Sequence, residues 1–119
     1  MTTNGIRFLG SVDEWEDVAI ASNRELLVVK VSPICEISHM AEREFDAWYG
    51  GLLPVPRFAV CKVDVIASRA VSHRIARDLD VRHESPQVLW LRYDRSVKWH
   101  ASHGRISTDA LDAQLNGGR

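Results

Sequence analysis

The sequence predicts an α/β fold, a single domain over residues 1–119 built on a small mixed sheet with helices on both faces. Three observations predict it. Apolar residues recur at helical spacing in several separate segments. Short, β-branched apolar runs lie between those segments. The last two such runs are too close in sequence to hold a crossover helix, so they form a hairpin. Composition agrees with a globular chain: of 119 residues, 45% are hydrophobic and 26% charged. At this length roughly two thirds of the surface can be buried on folding, enough for one core.

The elements follow in order. Ser11 with Glu14 three residues on fits a capping box, and Val12, Trp15, Val18, Ala19 and Ser22 continue at helical spacing, giving a helix over 12–22. Leu26-Leu27-Val28-Val29-Lys30-Val31 reads as a buried strand, and Ser32-Pro33-Ile34 interrupts it. From Cys35 a second helical pattern places Ile37, Met40, Ala41, Phe45 and Trp48 on one face; Gly50-Gly51 ends it, and Pro54 and Pro56 mark a loop. Residues 58–65 are the next strand, and Val71, Ile75, Ala76 and Leu79 make a helix over 70–79. Gln87–Leu91 and Val97–Ala101 form the hairpin around Tyr93-Asp94-Arg95-Ser96. Ser107 or Thr108 caps a final helix carrying Leu111 and Leu115, closed by Gly117-Gly118.

A strand–helix–strand unit makes its strands parallel with a right-handed crossover, and the hairpin adds an antiparallel pair. The resulting architecture is a mixed four-stranded sheet with flanking helices. It resembles the thioredoxin arrangement with an extra N-terminal helix, although strand–helix alternation alone also suits other small α/β folds.

Charge and cysteine content narrow the function. Fifteen basic and sixteen acidic residues give a net charge of −1, which supplies no drive toward nucleic acid or anionic membrane. No apolar run approaches the length of a membrane span. The polar start, Met1-Thr2-Thr3-Asn4-Gly5, lacks a signal peptide's apolar core, so a cytoplasmic location is expected. With only Cys35 and Cys61, a disulfide scaffold and a four-cysteine zinc site are both excluded. Trp48, Trp90 and Trp99 fit core or sheet positions better than a base-stacking platform.

Cys35 carries the chemistry. It follows the first strand and starts a helix, where unpaired N–H groups and the positive end of the dipole stabilise a thiolate, the nucleophilic form. Cys35-Glu36-Ile37-Ser38 is a Cys-x-x-Ser motif, so it cannot close its own disulfide, and another thiol must resolve a mixed disulfide on Cys35. The Ser38 hydroxyl, three residues on, is placed to donate to the sulfur, whereas the Glu36 charge repels a thiolate. The alternative for Cys35 is a structural cysteine at a helix start. His39, four residues on, shares the helical face of Cys35, and His100 and His103 add imidazoles; no third and fourth ligand at recognised spacing accompanies them, so hydrogen-bonded histidines are expected rather than a metal site. Cys61 lies mid-strand and reads as a buried core thiol; the other reading, a resolving partner for Cys35, requires Cα atoms within about 7 Å. Pro86 suits the first position of a strand, with either a trans or a cis Ser85–Pro86 bond.

Three segments occur together in order: Cys35-Glu36-Ile37-Ser38, Val81-Arg82-His83-Glu84-Ser85-Pro86-Gln87-Val88 and Trp99-His100-Ala101-Ser102-His103. In combination the chain resembles the monothiol bacilliredoxins, thioredoxin-like proteins of the bacillithiol system, over roughly residues 6–116. The family's active site reads Cys-Pro-Ile-Ser. Cys35 matches the nucleophile and Ile37 and Ser38 the positions after it, while Glu36 stands where proline is usual. Gly104 stands where tryptophan commonly follows the Ser-His segment, and Lys30-Val31-Ser32 where Lys-His-Ser is usual. Pro86 matches the cis-proline position of thioredoxin-like folds.

The resemblance implies a bacterial thiol–disulfide oxidoreductase that removes bacillithiol from S-bacillithiolated client proteins. Cys35 and Ser38 are then catalytic, Ser85, Pro86, Ile34 and Glu36 bind the substrate, and bacillithiol is the co-substrate, with no bound metal, nucleotide or flavin. Bacillithiol or another redoxin is the resolving thiol. Two alternatives share the fold: glutaredoxin-like exchange with another low-molecular-weight thiol, and a thioredoxin-like binding module without turnover, which Glu36 favours.

Overall fold

The computed structural model describes residues 2–3, 5–21, 23–52 and 56–117. Ser22, Pro54 and Gly118, expected at a helix end, in a loop and past the last helix, lie outside the described residues. The elements run β1 (Thr2–Thr3), β2 (Ile6–Phe8), α1 (Val12–Ile20), β3 (Leu26–Val31), α2 (Glu36–Gly50), β4 (Ala59–Asp64), α3 (Arg69–Leu79), β5 (Gln87–Leu91), β6 (Val97–Ser102), a 3₁₀ turn (His103–Arg105) and α4 (Thr108–Gly117).

The mixed sheet has six strands in the order β1-β2-β4-β3-β5-β6, where four were expected. β3 and β4 are parallel and joined through α2, while β5 runs antiparallel to both β3 and β6. The additional strands are β1 and β2, with β2 parallel to β4 and β1 antiparallel to β2. Their brevity explains the shortfall. β2 has three residues, of which Ile6 alone is buried, so no period-2 pattern can show.

Local chemistry sets the helix ends. Ser11 Oγ accepts the Glu14 N–H at 3.2 Å, as the capping box requires. Glu14 reaches back to the Gly10 N–H at 2.8 Å, and that bond holds its carboxyl below the usual range. The hairpin residue Arg95, in the left-handed region at φ 68°, closes the other end of α1. Its guanidinium donates to the carbonyls of Val18, Ala21 and Arg24. Ser107 caps α4, its Oγ accepting the Ala110 N–H at 3.1 Å.

The central strands are covered on both faces, which explains their unbroken apolar runs. Leu27, Val29, Val60, Val88 and Trp90 pack under α2 and α4 against Phe45, Trp48 and Leu111. Leu26, Val28, Cys61, Val63, Leu89 and Leu91 pack under α1 and α3 against Trp15, Val71 and Ile75. The buried indoles find partners: Trp15 donates to Asp78 at 3.0 Å, Trp48 to Asp112 at 2.7 Å and Trp90 to Glu25 at 2.7 Å. Trp99 is half-buried and packs against the α2–α4 side. None of the described helices is long and apolar enough to cross a membrane.

Each face holds one buried lysine. On the α2 side, Lys62 bonds Glu42 at 2.7 Å and Asp46 at 2.8 Å. Burial opposes its charge, but those two carboxylates outweigh it and raise its pKa. On the α3 side, burial pushes the Lys30 ammonium down to about 8.

Candidate active site

The site begins where β3 runs out. Val31 ends the strand, and residues 32–35 turn up to the start of α2. Cys35 is the N-cap, extended at φ −108° and ψ 124°, and its carbonyl accepts the His39 N–H at 3.0 Å. Its side chain makes no capping bond, which leaves a half-buried thiol beside the unpaired N–H groups of the first helical turn.

The expected partners of Cys35 take up specific places. Ser38 is fully buried, and its hydroxyl accepts the Ser32 N–H at 2.7 Å. That bond fixes the turn, and it leaves the hydroxyl's own proton uncommitted. His39 is exposed, with Nε2 2.9 Å from the Pro33 carbonyl. A carbonyl only accepts, so Nε2 carries the proton and donates. His39 thereby ties the second turn of α2 to the loop before the cysteine. Glu36 is exposed in the first turn.

Near Cys35 in the chain, exposed apolar side chains alternate with exposed Glu36 and His39. Ile34 is 80% exposed, Ile37 52% and Met40 56%.

The second half of the site is the turn before β5. The Ser85–Pro86 peptide is cis. The Pro86 carbonyl accepts the His103 N–H at 3.1 Å, and Ser102 Oγ donates to Glu84, holding that carboxyl below its usual range. Since β5 pairs with β3, this turn lies beside the strand end from which the Cys35 loop rises. Ser85 Oγ is buried and without a hydrogen-bond partner among the described residues, and so is Gln87 Oε1. A Cβ added at Gly104 would meet nothing within 4 Å, so that corner is open.

Cys61 is elsewhere: mid-β4, 1% exposed, on the side of the sheet covered by α1 and α3. Burial pushes its thiol up to about 12. His100 and His103 are exposed on β6 and just after it. Among the described residues no cluster of three or more His, Cys, Asp or Glu side chains could hold a metal ion.

Sequence reasoning missed a polar group beneath the turn. Lys30 Nζ, fully buried, lies 3.0 Å from the Ser72 carbonyl and 3.3 Å from His83 Nδ1. Ser72 Oγ is 3.0 Å from the same nitrogen. Burial lowers the His83 pKa, and the nearby Lys30 and Arg69 charges lower it further. The available signal was the single lysine inside an otherwise apolar strand.

Comparison with known proteins agrees with this geometry. The family model for monothiol bacilliredoxin BrxC matches residues 7–111. A solved structure described as a candidate oxidoreductase with a thioredoxin fold is 28% identical, covers 93% of this chain and 94% of its own, and superposes with a TM-score of 0.78. Thioredoxin h from Nicotiana alata is similar in fold at 16% identity, covering 100% of this chain and 96% of its own, with a TM-score of 0.73. Fasciola hepatica thioredoxin is also 16% identical, covering 95% and 99%, with a TM-score of 0.70. Family and fold together support a thiol redox role.

Proposed function

Because the chain belongs to the monothiol bacilliredoxin family, we propose that it is a thiol–disulfide oxidoreductase that frees client proteins from bacillithiol by a monothiol mechanism at Cys35. The Cys35 thiolate attacks the bacillithiol sulfur of a client mixed disulfide. The client–bacillithiol S–S bond breaks, the client leaves as a thiolate and takes up a proton, and a Cys35–bacillithiol disulfide forms. A second thiolate, from bacillithiol or another redoxin, then attacks the bacillithiol sulfur. A new disulfide leaves and Cys35 returns as a thiolate.

The observation that carries this reading is the position of Cys35. It caps a helix without spending its thiol, and the fourth residue of its motif is Ser38 rather than a second cysteine. The other cysteine, Cys61, is buried in the sheet. Ser38 donates a hydrogen bond through its uncommitted O–H to the sulfur as charge returns to it. Ile34, Glu36, Ser85 and Pro86 form the surface along which the client disulfide aligns. No bound metal, nucleotide or flavin takes part, and bacillithiol enters only as co-substrate. The setting that fits this chemistry is the cytoplasm of a bacterium.

The experiment is a release assay with one client protein carrying either bacillithiol or glutathione. Faster release from the bacillithiol form, abolished in Cys35→Ser, is the expected result. Faster release from the glutathione form reassigns the thiol, and release from neither removes the catalytic reading.

A further inference from the structure

Two neighbouring strands hold the Ser85–Pro86 turn from beneath. Lys30 on β3 and Gln87 on β5 are register partners, so their side chains leave the sheet on the same face. Both are buried, at 0% and 1% exposure, and both reach the segment just before the turn. Lys30 Nζ lies 3.3 Å from His83 Nδ1, while Gln87 Nε2 donates to the Arg82 carbonyl at 3.0 Å. Lys30 bonds no carboxylate among the described residues; its other acceptor is the Ser72 carbonyl on α3, at 3.0 Å. An ammonium buried among neutral acceptors costs stability that an apolar side chain of similar length would not. The bond to His83 is therefore poorly explained by stability alone.

We propose that Lys30 and His83 are positioning residues of the exchange site: their buried bond sets the Ser85–Pro86 turn against the Cys35 loop. This rests on the reading of Cys35 as the exchange nucleophile. β3 runs directly into the Cys35 loop, so the strand that carries the sulfur also carries the anchor of the opposing turn. Attack on a disulfide needs the three sulfurs aligned, and a misplacement of about 1 Å can cost roughly a hundredfold in rate.

An ammonium can only donate, so with Lys30 charged the bond needs His83 Nδ1 unprotonated; Ser72 Oγ, 3.0 Å from the same nitrogen, is its second partner. The surroundings favour that state. Burial first, and then the charge of Lys30, favour neutral His83, against a smaller opposing pull from Glu84. The His73 ring stacks on His83 at 5.4 Å from α3, and Gln87, the facing residue on β5, is uncharged. As pH falls far enough to protonate Nδ1, the acceptor for Lys30 is lost and the turn is loosened, with Ser72 Oγ left as the partner of the ring.

The test compares the wild-type chain with Lys30→Met, His83→Phe and His83→Asn, whose Oδ1 stands where Nδ1 stood. Three rates are measured: exchange with a bacillithiol mixed disulfide of a cysteine peptide, alkylation of Cys35 by iodoacetamide, and backbone amide hydrogen exchange over 81–88. In Lys30→Met and His83→Phe, disulfide exchange is expected to slow about tenfold while alkylation stays within about twofold, and His83→Asn recovers to within about threefold. Amide protection falls in the first two variants and is kept in the third. Lys30→Met is no less stable to urea than wild type, which a merely structural lysine would not allow. In wild type the ratio of disulfide exchange to alkylation drops as His83 protonates in acid, and in His83→Asn it stays flat. Wild-type exchange rates in both disrupting variants would overturn the proposal, as would alkylation falling in step with exchange. If wild type itself exchanges no disulfide, the reading of Cys35 fails, and the tether is judged on amide protection alone: unchanged protection in Lys30→Met refutes it.

Discussion

Cys35 and Cys61 are the same residue in opposite surroundings. Cys61 sits in the middle of β4, among Val28, Val63 and Leu89 on a covered face, and burial drives its thiol up to about 12. Cys35 sits one residue before α2, half-buried, with its thiol unspent beside the first turn of the helix. A strand interior satisfies its backbone in the ladder, and there burial outweighs the pull of Arg7 and Arg95 on the Cys61 thiol. A helix start leaves N–H groups unpaired and aimed outward. The reactivity of a thiol thus follows from where the backbone places it.

The largest effect expected from this contrast is on turnover. Cys35→Ser reduces release of bacillithiolated client to background, whereas Cys61→Ala stays within about twofold in rate and costs about 1 kcal/mol of stability, read from a urea titration. Equal loss in both variants would erase the distinction. Next in size is native-state labelling. Iodoacetamide modifies Cys35 in the folded protein at a rate about a thousandfold or more above Cys61, which reacts only after unfolding; peptide mapping by mass spectrometry separates the two.

The third effect appears in alkaline stability. Cys61 rises from 9.0 to about 12 on folding, so between those values the unfolded chain binds fewer protons than the folded one. Stability then falls as pH rises through that window, by a few kcal/mol in order of magnitude. Cys61→Ala removes that loss. Lys30 acts in the opposite sense: its pKa drops from 10.5 to about 8, so stability rises with pH across that interval, and Lys30→Met abolishes the rise. Urea midpoints at stepped pH for the three proteins distinguish the two contributions. The smallest effect belongs to Glu36. Removing its charge in Glu36→Gln speeds alkylation of Cys35 by about twofold to threefold at low salt, with the gain shrinking as salt is added.

Much of the fold was legible because its elements are long and periodic. The strand over 26–31 and the helices from Val12 and from Cys35 appear where spacing and capping residues put them. β1 and β2 were not, since three residues with one buried side chain carry no period. The site divides the same way. The place of Cys35 at a helix start is local information, and so it shows in the sequence. The hydroxyl of Ser38 also accepts the Ser32 N–H, which is brought round by a loop that helical spacing does not describe. The Lys30–His83 bond joins residues 53 positions apart and depends on the packing of α3 and the turn against the sheet. No local pattern reports it.

The most direct measurement is intact-mass analysis, followed by peptide mapping, of the reduced protein mixed with a bacillithiolated client. The expected result is a bacillithiol adduct on Cys35 alone, appearing as the client is freed. A freed client with the adduct on Cys61, or no adduct on either cysteine while the client stays modified, would contradict a monothiol site at the start of α2.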